Sequence, residues 1–291
     1  MRTWLARTIA ATAVGLVLLA VGAAAMPAVR AIASGWWNDP EKLAALADAP
    51  QVHYEAGADD RARAVAALLP AAIARVEVMQ GRPFARPVTV GVYASREAFA
   101  AANGTGFAGA VGVTFLGNVV LSPVLFTTQR PRLAAILTHE LSHAHIRSWM
   151  SELTYLRLPN WFKEGLAVMV SGGGAAEDVS ETQARAAIRR GDRIRIAREG
   201  SLVANSLLEF IVIRFERPPE VPDTPFRFEM AYRQSAMFVA YLRDANPESF
   251  ARMMEAIFDG RSFADAVTAG YGTDLQVLWL RFLQAQEDAS R

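Results

Sequence analysis

Leu133-Ala134-Ala135-Ile136-Leu137-Thr138-His139-Glu140-Leu141-Ser142-His143-Ala144 is the stretch on which the reading of this 291-residue chain turns. Leu133, Leu137, Leu141 and Ala144 recur at helical spacing and form one apolar stripe that can face a core. Pro131, just upstream, suits a first helical turn. Two imidazoles four residues apart on such a helix differ by roughly 40° around its axis and sit one turn apart, so both can reach one metal ion from the same side. Glu140 projects roughly 100° from His139 and roughly 60° from His143, which sets its carboxylate beside that ion rather than on it. H-E-x-x-H in this setting is the geometry a zinc hydrolase needs. Neutral imidazoles bind Zn²⁺, the metal lowers the pKa of a bound water, and the glutamate takes the proton as water attacks a carbonyl. The bland reading is a surface helix with scattered polar groups. A half-buried helix with a polar cluster along the edge of its apolar stripe fits the floor of a cleft better.

Two histidines leave such an ion short of a ligand. The extended pattern H-E-x-x-H-x-x-G-x-x-H is excluded, because its glycine and third histidine positions hold Ile146 and Trp149. His145 projects from another side of the same helix and reads as a hydrogen-bonded structural histidine. His53 lies far upstream in a strand-like run, with nothing to bring it to the metal. Glu164, in Leu158-Pro159-Asn160-Trp161-Phe162-Lys163-Glu164-Gly165-Leu166-Ala167, is the better candidate. Pro159-Asn160 reads as a turn with Asn160 as N-cap, so a second helix begins near Trp161. On that helix Glu164 shares its face with Trp161, Ala167 and Val168, while Lys163 points elsewhere. An ionised carboxylate on an apolar face is costly unless paired or bound to a metal; the alternative is a solvated glutamate favoured by the helix dipole. Gly165 costs roughly 1 kcal/mol against alanine inside a helix, which a close helix–helix approach would explain.

H-E-L-S-H at 139–143 followed by W-F-K-E-G-L-A at 161–167 resembles the gluzincin metallopeptidases, in which a glutamate on the next helix is the third zinc ligand. More narrowly, the chain resembles the peptidase MA-like family of small bacterial gluzincin domains. Val88-Thr89-Val90-Gly91-Val92-Tyr93 with Ser95-Arg96-Glu97-Ala98-Phe99 follows that family's pattern, as do Tyr232-Arg233-Gln234-Ser235-Ala236 and the run from Phe238 to Leu242. Phe263-Ala264-Asp265-Ala266-Val267, Tyr271-Gly272 and Trp279 continue it. The likeness covers residues 52–282, strongly at the two metal motifs and loosely elsewhere. It implies one Zn²⁺ ion held by His139, His143 and Glu164, with Glu140 as base. A zinc peptidase also needs a donor for the tetrahedral oxyanion, and resemblance to gluzincins that use a tyrosine implies Tyr232. The alternative is a core tyrosine with a satisfied hydroxyl, and Arg233 and Tyr155 stay open as donors. The chain departs from the pattern at Val168, where some gluzincins place an acidic residue four positions after the third ligand. The partner that orients the histidines is therefore unassigned.

Over half the residues are apolar, enough for a sizeable core in one or two domains. A formal charge of +1 without a basic run speaks against nucleic-acid binding. The absence of cysteine excludes disulfides and thiolate zinc sites. Arg2 and Arg7 precede an uncharged, mostly apolar stretch at 8–29, which would span roughly 33 Å as a helix, about a bilayer core. Ala23-Ala24-Ala25 also fits a small-x-small cleavage site. Residues 1–33 thus read as a signal anchor, favoured because the apolar run passes the cleavage site, or as a signal peptide. Either places the bulk of the chain outside the cytoplasm, in a bacterial periplasm or cell envelope, membrane-anchored or secreted if cleaved. Residues 34–50 read as a linker whose Trp36 and Trp37 suit a membrane interface.

Residues 51–291 then form one domain, with a sheet-bearing half at 51–127 and a helical half at 128–291. Alternation at 52–54, helical period at 61–79 and β-branched residues at 88–93 give strand, helix and strand. Short strands at 111–115 and 118–121 surround a Gly117-Asn118 turn, and an edge strand beside the metal helix can hold an extended peptide by strand addition. Gly172-Gly173-Gly174 and the proline-rich 217–225 look like loops bordering the cleft. The expectation is an α+β, zincin-like fold: a small mixed sheet with an edge hairpin, packed on a mainly helical half that carries the H-E-x-x-H helix. The expected activity is zinc-dependent hydrolysis of a peptide or protein substrate. The competitors are a non-catalytic zincin-fold envelope binding or assembly protein, and a structural protein in which the motif is accidental.

Overall fold

The computed structural model describes residues 26–200, 213–217, 219 and 224–288. Most of the apolar stretch at 8–29 and its cleavage site lie outside the described residues, as does most of 217–225. Among the described residues no helix is long and apolar enough to cross a membrane.

The segment expected as a linker is structured. Helix α1 (Pro27–Trp37), opened by a proline in its first turn, runs into it. A 3-10 turn, Pro40–Lys42, follows, with the Glu41 amide donating to the Asp39 carboxylate. Strand β1 (Ala44–Leu46) then pairs antiparallel with β2 (Ala49–Tyr54). The sequence hid this strand because an edge strand this short, exposed at Ala44 and Ala45, shows no apolar alternation.

Three further strands complete a five-stranded mixed sheet: β3 (Val90–Val92), β4 (Gly112–Phe115) and β5 (Asn118–Leu121), in the order β1-β2-β3-β5-β4. The β2/β3 and β3/β5 pairs are parallel, so each connection needs a crossover. Helix α2 (Asp59–Gln80) supplies the first and α3 (Arg96–Ala102) contributes to the second. Val52, Val90, Val92, Val119 and Leu121 face the main core, while Val120 and Tyr93 pack with Phe99 and Ala102 on the other side. Burial on both faces explains why 88–93 reads as a continuous apolar run.

The expected hairpin is present with its turn one residue earlier. Phe115 pairs with Asn118, so the loop is Leu116-Gly117, with φ of 50° and 90°. Two-residue hairpins favour such positive values because they match strand twist. Glycine adopts them freely, whereas leucine loses about 1–2 kcal/mol there.

Among the described residues the helical half comprises α4 (Leu133–Ser148), α5 (Glu152–Arg157), α6 (Asn160–Ser171), α7 (Glu181–Arg190), α8 (Thr224–Ala245), α9 (Pro247–Phe258), α10 (Phe263–Tyr271) and α11 (Leu275–Asp288). The α4 helix is buried nearly all round rather than on one stripe, because α2, α6 and β4 enclose it. The N-cap of α6 is Pro159, not Asn160. Gly165 lies where α6 meets α8: a Cβ there would stand 2.7 Å from the Ser235 main-chain carbon and oxygen. Gly165→Ala is therefore expected to destabilise the fold by about 1–3 kcal/mol through overpacking, despite the better helix propensity of alanine. Urea denaturation measures this, and an unshifted or raised midpoint would contradict the close crossing.

Candidate metal centre

Helix α4 presents His139 and His143 one turn apart, and α6 brings Glu164 to meet them. The two Nε2 atoms lie 3.2 Å from each other. Glu164 Oε2 lies 3.3 Å from His139 Nε2 and 3.5 Å from His143 Nε2. All three side chains are buried and placed to hold a metal ion. A tetrahedral ion with bonds of about 2.0–2.1 Å separates its ligand atoms by about 3.3 Å. The three donor atoms already stand at that spacing.

The outer ring nitrogens explain the convergence. His139 Nδ1 donates to the Gly174 carbonyl at 3.0 Å. A carbonyl can only accept, so in the neutral ring Nε2 carries the free lone pair. His143 Nδ1 lies 3.1 Å from the Tyr155 hydroxyl. Two ring nitrogens and a carboxylate oxygen thus face one buried point, a donor set suited to a cation between them. The Val168 departure is answered by these two partners: a backbone carbonyl from the glycine loop and a tyrosine from α5. Gly174 can approach because it lacks a side chain; a Cβ there would stand 2.7 Å from the Ala135 carbonyl oxygen. Tyr155→Phe is expected to weaken metal binding about 10–100-fold, the usual loss when such an orienting partner goes. Competition against a chromophoric chelator reads the change, and equal affinities would deny Tyr155 this role.

In the metal-free protein, burial by itself would raise the Glu164 carboxyl, but the charge of His143 and hydrogen bonds from both histidines hold it well below the usual carboxylate range. Burial works against a charged His139, yet Glu164 and Glu140 leave its pKa raised.

Glu140 stays out of the ligand triangle, as its position on the helix requires. Its Oε2 accepts from the Thr114 hydroxyl at 2.8 Å, and the same hydroxyl lies 2.8 Å from the Glu140 main-chain oxygen. Strand β4 can lie this close because Gly112 has no side chain: a Cβ would sit 2.9 Å from Glu140 Cγ and from Ile136 Cγ2. Tyr232 reaches the centre from α8, its ring nearly parallel to that of His139 with centroids 6.4 Å apart. Burial, then the Glu164 and Glu140 carboxylates, push its phenol well above the ordinary value of 10. Arg233 is committed elsewhere, donating to the carbonyls of Val179 and Ala176. His145 is the structural histidine expected, held at 2.7 Å from the Gln80 side chain and 2.8 Å from the Arg82 carbonyl. His53 contacts the Leu43 carbonyl in the sheet, away from the cluster.

A cleft of about 400 Å³ opens over these residues, between β4 and helices α4 to α6. Ile32 of α1 also lines it. Lys163, expected to point away from the Glu164 face, lines the cleft as well. Burial, then nearby Arg147, lowers its pKa to about 8. Thr114 and Lys163 were not assigned to the site from sequence, and Gly174 was read only as part of a loop bordering the cleft. The one usable signal was a lysine beside Glu164 in an otherwise apolar helix.

Comparison with protein-family models, curated proteins and solved structures yields no match to the chain. What stands of the family resemblance is the His139, His143 and Glu164 cluster itself.

Proposed function

We propose that the chain is a zinc-dependent metallopeptidase of the gluzincin type, with a zincin-like fold related to the peptidase MA-like domains. The observation that carries this reading is the convergence of His139, His143 and Glu164 at tetrahedral spacing, with the Glu140 carboxylate held beside them at a cleft. Two imidazoles and one carboxylate match the donor set of catalytic zinc sites, which keep a position open. Zinc held there would act as a Lewis acid, polarising a peptide carbonyl and acidifying water.

The remaining work falls to the chain's own groups. Glu140 takes a proton from the attacking water and returns it to the leaving amine. The Thr114 hydroxyl suits both states of that carboxyl: it donates to the carboxylate, and it accepts from the acid while donating to the main-chain oxygen. Tyr232, kept protonated by its surroundings, is a hydrogen-bond donor for the oxyanion. The open edge of β4 runs beside α4 and offers main-chain groups to an extended peptide. We place the protein outside the cytoplasm, in the periplasm or cell envelope, on the strength of Arg2, Arg7 and the apolar stretch at 8–29.

A non-catalytic envelope protein that keeps the metal fold would have no need of Glu140 held against the cleft by Thr114. The test is turnover of an unfolded protein substrate by the purified full chain, with zinc content measured in parallel. Stoichiometric zinc and hydrolysis that a chelator abolishes support the proposal. Stoichiometric zinc without hydrolysis would favour the binding protein, and no zinc would remove both readings.

A further inference from the structure

The cleft has a cationic wall that the proposed hydrolysis does not use. Tyr155, whose hydroxyl meets His143, carries two cations over its ring: Arg147 Cζ at 3.9 Å and Lys163 Nζ at 4.7 Å from the centroid. Both side chains line the same cleft as the metal ligands. Both are buried, Arg147 at 7% and Lys163 at 5% exposure. Arg147 is paired through Nη1 with Glu152, while its Nε is buried without a hydrogen-bond partner. For Lys163, no carboxylate or carbonyl among the described residues stands within hydrogen-bond or ion-pair distance. Arg147 thus has a carboxylate in direct contact, whereas Lys163 meets Glu164 and Glu152 only at longer range and has an aromatic ring as its nearest partner.

Such a lysine brings nothing to the fold that a methionine would not. It forfeits hydration, which the contact with Tyr155 restores only in part. Its three N–H donors remain unused inside a concave site one side chain away from a metal ligand. An ammonium with open donors in a low-dielectric cleft is what a buried carboxylate needs.

We infer that Lys163, flanked by Arg147, is a specificity subsite for a carboxylate on the substrate, so that this cleft selects acidic peptides. The inference rests on the metallopeptidase reading for the word substrate, but its test does not require cleavage. The carboxylate can come from an aspartate or glutamate side chain near the scissile bond, or from a free C-terminus.

The zinc-loaded full chain carrying Glu140→Gln, which holds peptides uncleaved, is titrated calorimetrically with three kinds of probe. The first is a peptide set with one glutamate walked along a neutral, C-amidated sequence. The second is the amidated glutamine counterpart, and the third is that counterpart with a free C-terminus. At least one anionic probe is expected to bind about 10–100-fold tighter than the neutral one, and which one does so identifies the source. Adding Lys163→Met, or Lys163→Gln as a second neutral variant, is expected to bring that ratio close to one, whereas Lys163→Arg retains it. Equal affinities for all probes in the Glu140→Gln protein, or a preference that survives both neutral variants, would overturn the subsite. Lys163-dependent binding by a chain that in its native form cleaves nothing upholds the subsite and refutes the peptidase. Cleavage without the preference does the reverse.

Discussion

Glu140→Gln is expected to lower peptide turnover by about 10²–10⁴-fold, the contribution of a positioned general base, and to leave metal affinity unchanged. The two halves of this expectation come from different observations. The carboxylate lies outside the His139, His143 and Glu164 triangle, so its charge is not needed to coordinate the ion. Its neighbour Thr114 donates a hydrogen bond at 2.8 Å, and a glutamine oxygen accepts that bond as well as a carboxylate does. The side chain therefore stays in place while losing the ability to take up a proton. A kinetic assay with metal quantified on the same sample separates the effects. Turnover retained by a metal-replete Glu140→Gln protein would dismiss the base.

Loss of Glu164 is expected to have the opposite signature. Zinc present at about 100 times its dissociation constant stabilises a protein by about 2.7 kcal/mol. For a domain of this size that corresponds to roughly 5–10 °C in Tm, a margin that a chelator should erase. In Glu164→Ala one of three donors is gone. Zinc sites in small peptides are worth about 10–16 kcal/mol over a full ligand set, so losing a donor weakens binding by something on the order of 10³-fold. At the same zinc concentration the variant should melt at one temperature with or without chelator. A chelator-dependent shift as large as that of the parent would show that the carboxylate is not a ligand.

The parts of this site that could be read from sequence are those that chemistry ties to side-chain type and helical spacing. His139, Glu140 and His143 declare themselves because a shared ion demands two imidazoles one turn apart. Glu164 follows because a carboxylate among Trp161, Ala167 and Val168 needs a reason to be there, and Gly165 because a glycine inside a helix needs one too. The hairpin was legible from β-branched runs around glycine, although its register differed by one residue, since Leu116 in the left-handed region has no local signature. The groups that orient the site were hidden for a different reason. Gly174 acts through its backbone carbonyl, which every residue possesses. Tyr155 meets His143 only because α5 packs beside α4. Lys163 leaves its helix roughly 100° from Glu164, yet the cleft between α4, α5 and α6 is wide enough for both to face it. The stretch at 34–50 looked like a linker because its strand takes its stability from pairing with β2 rather than from its own side chains.

Anomalous scattering at the zinc absorption edge, from crystals of the purified protein grown with zinc, tests the central claim most directly. A single strong peak bounded by His139 Nε2, His143 Nε2 and a Glu164 carboxylate oxygen is the predicted result. No peak at that point, or a peak whose neighbours do not include Glu164, would contradict it.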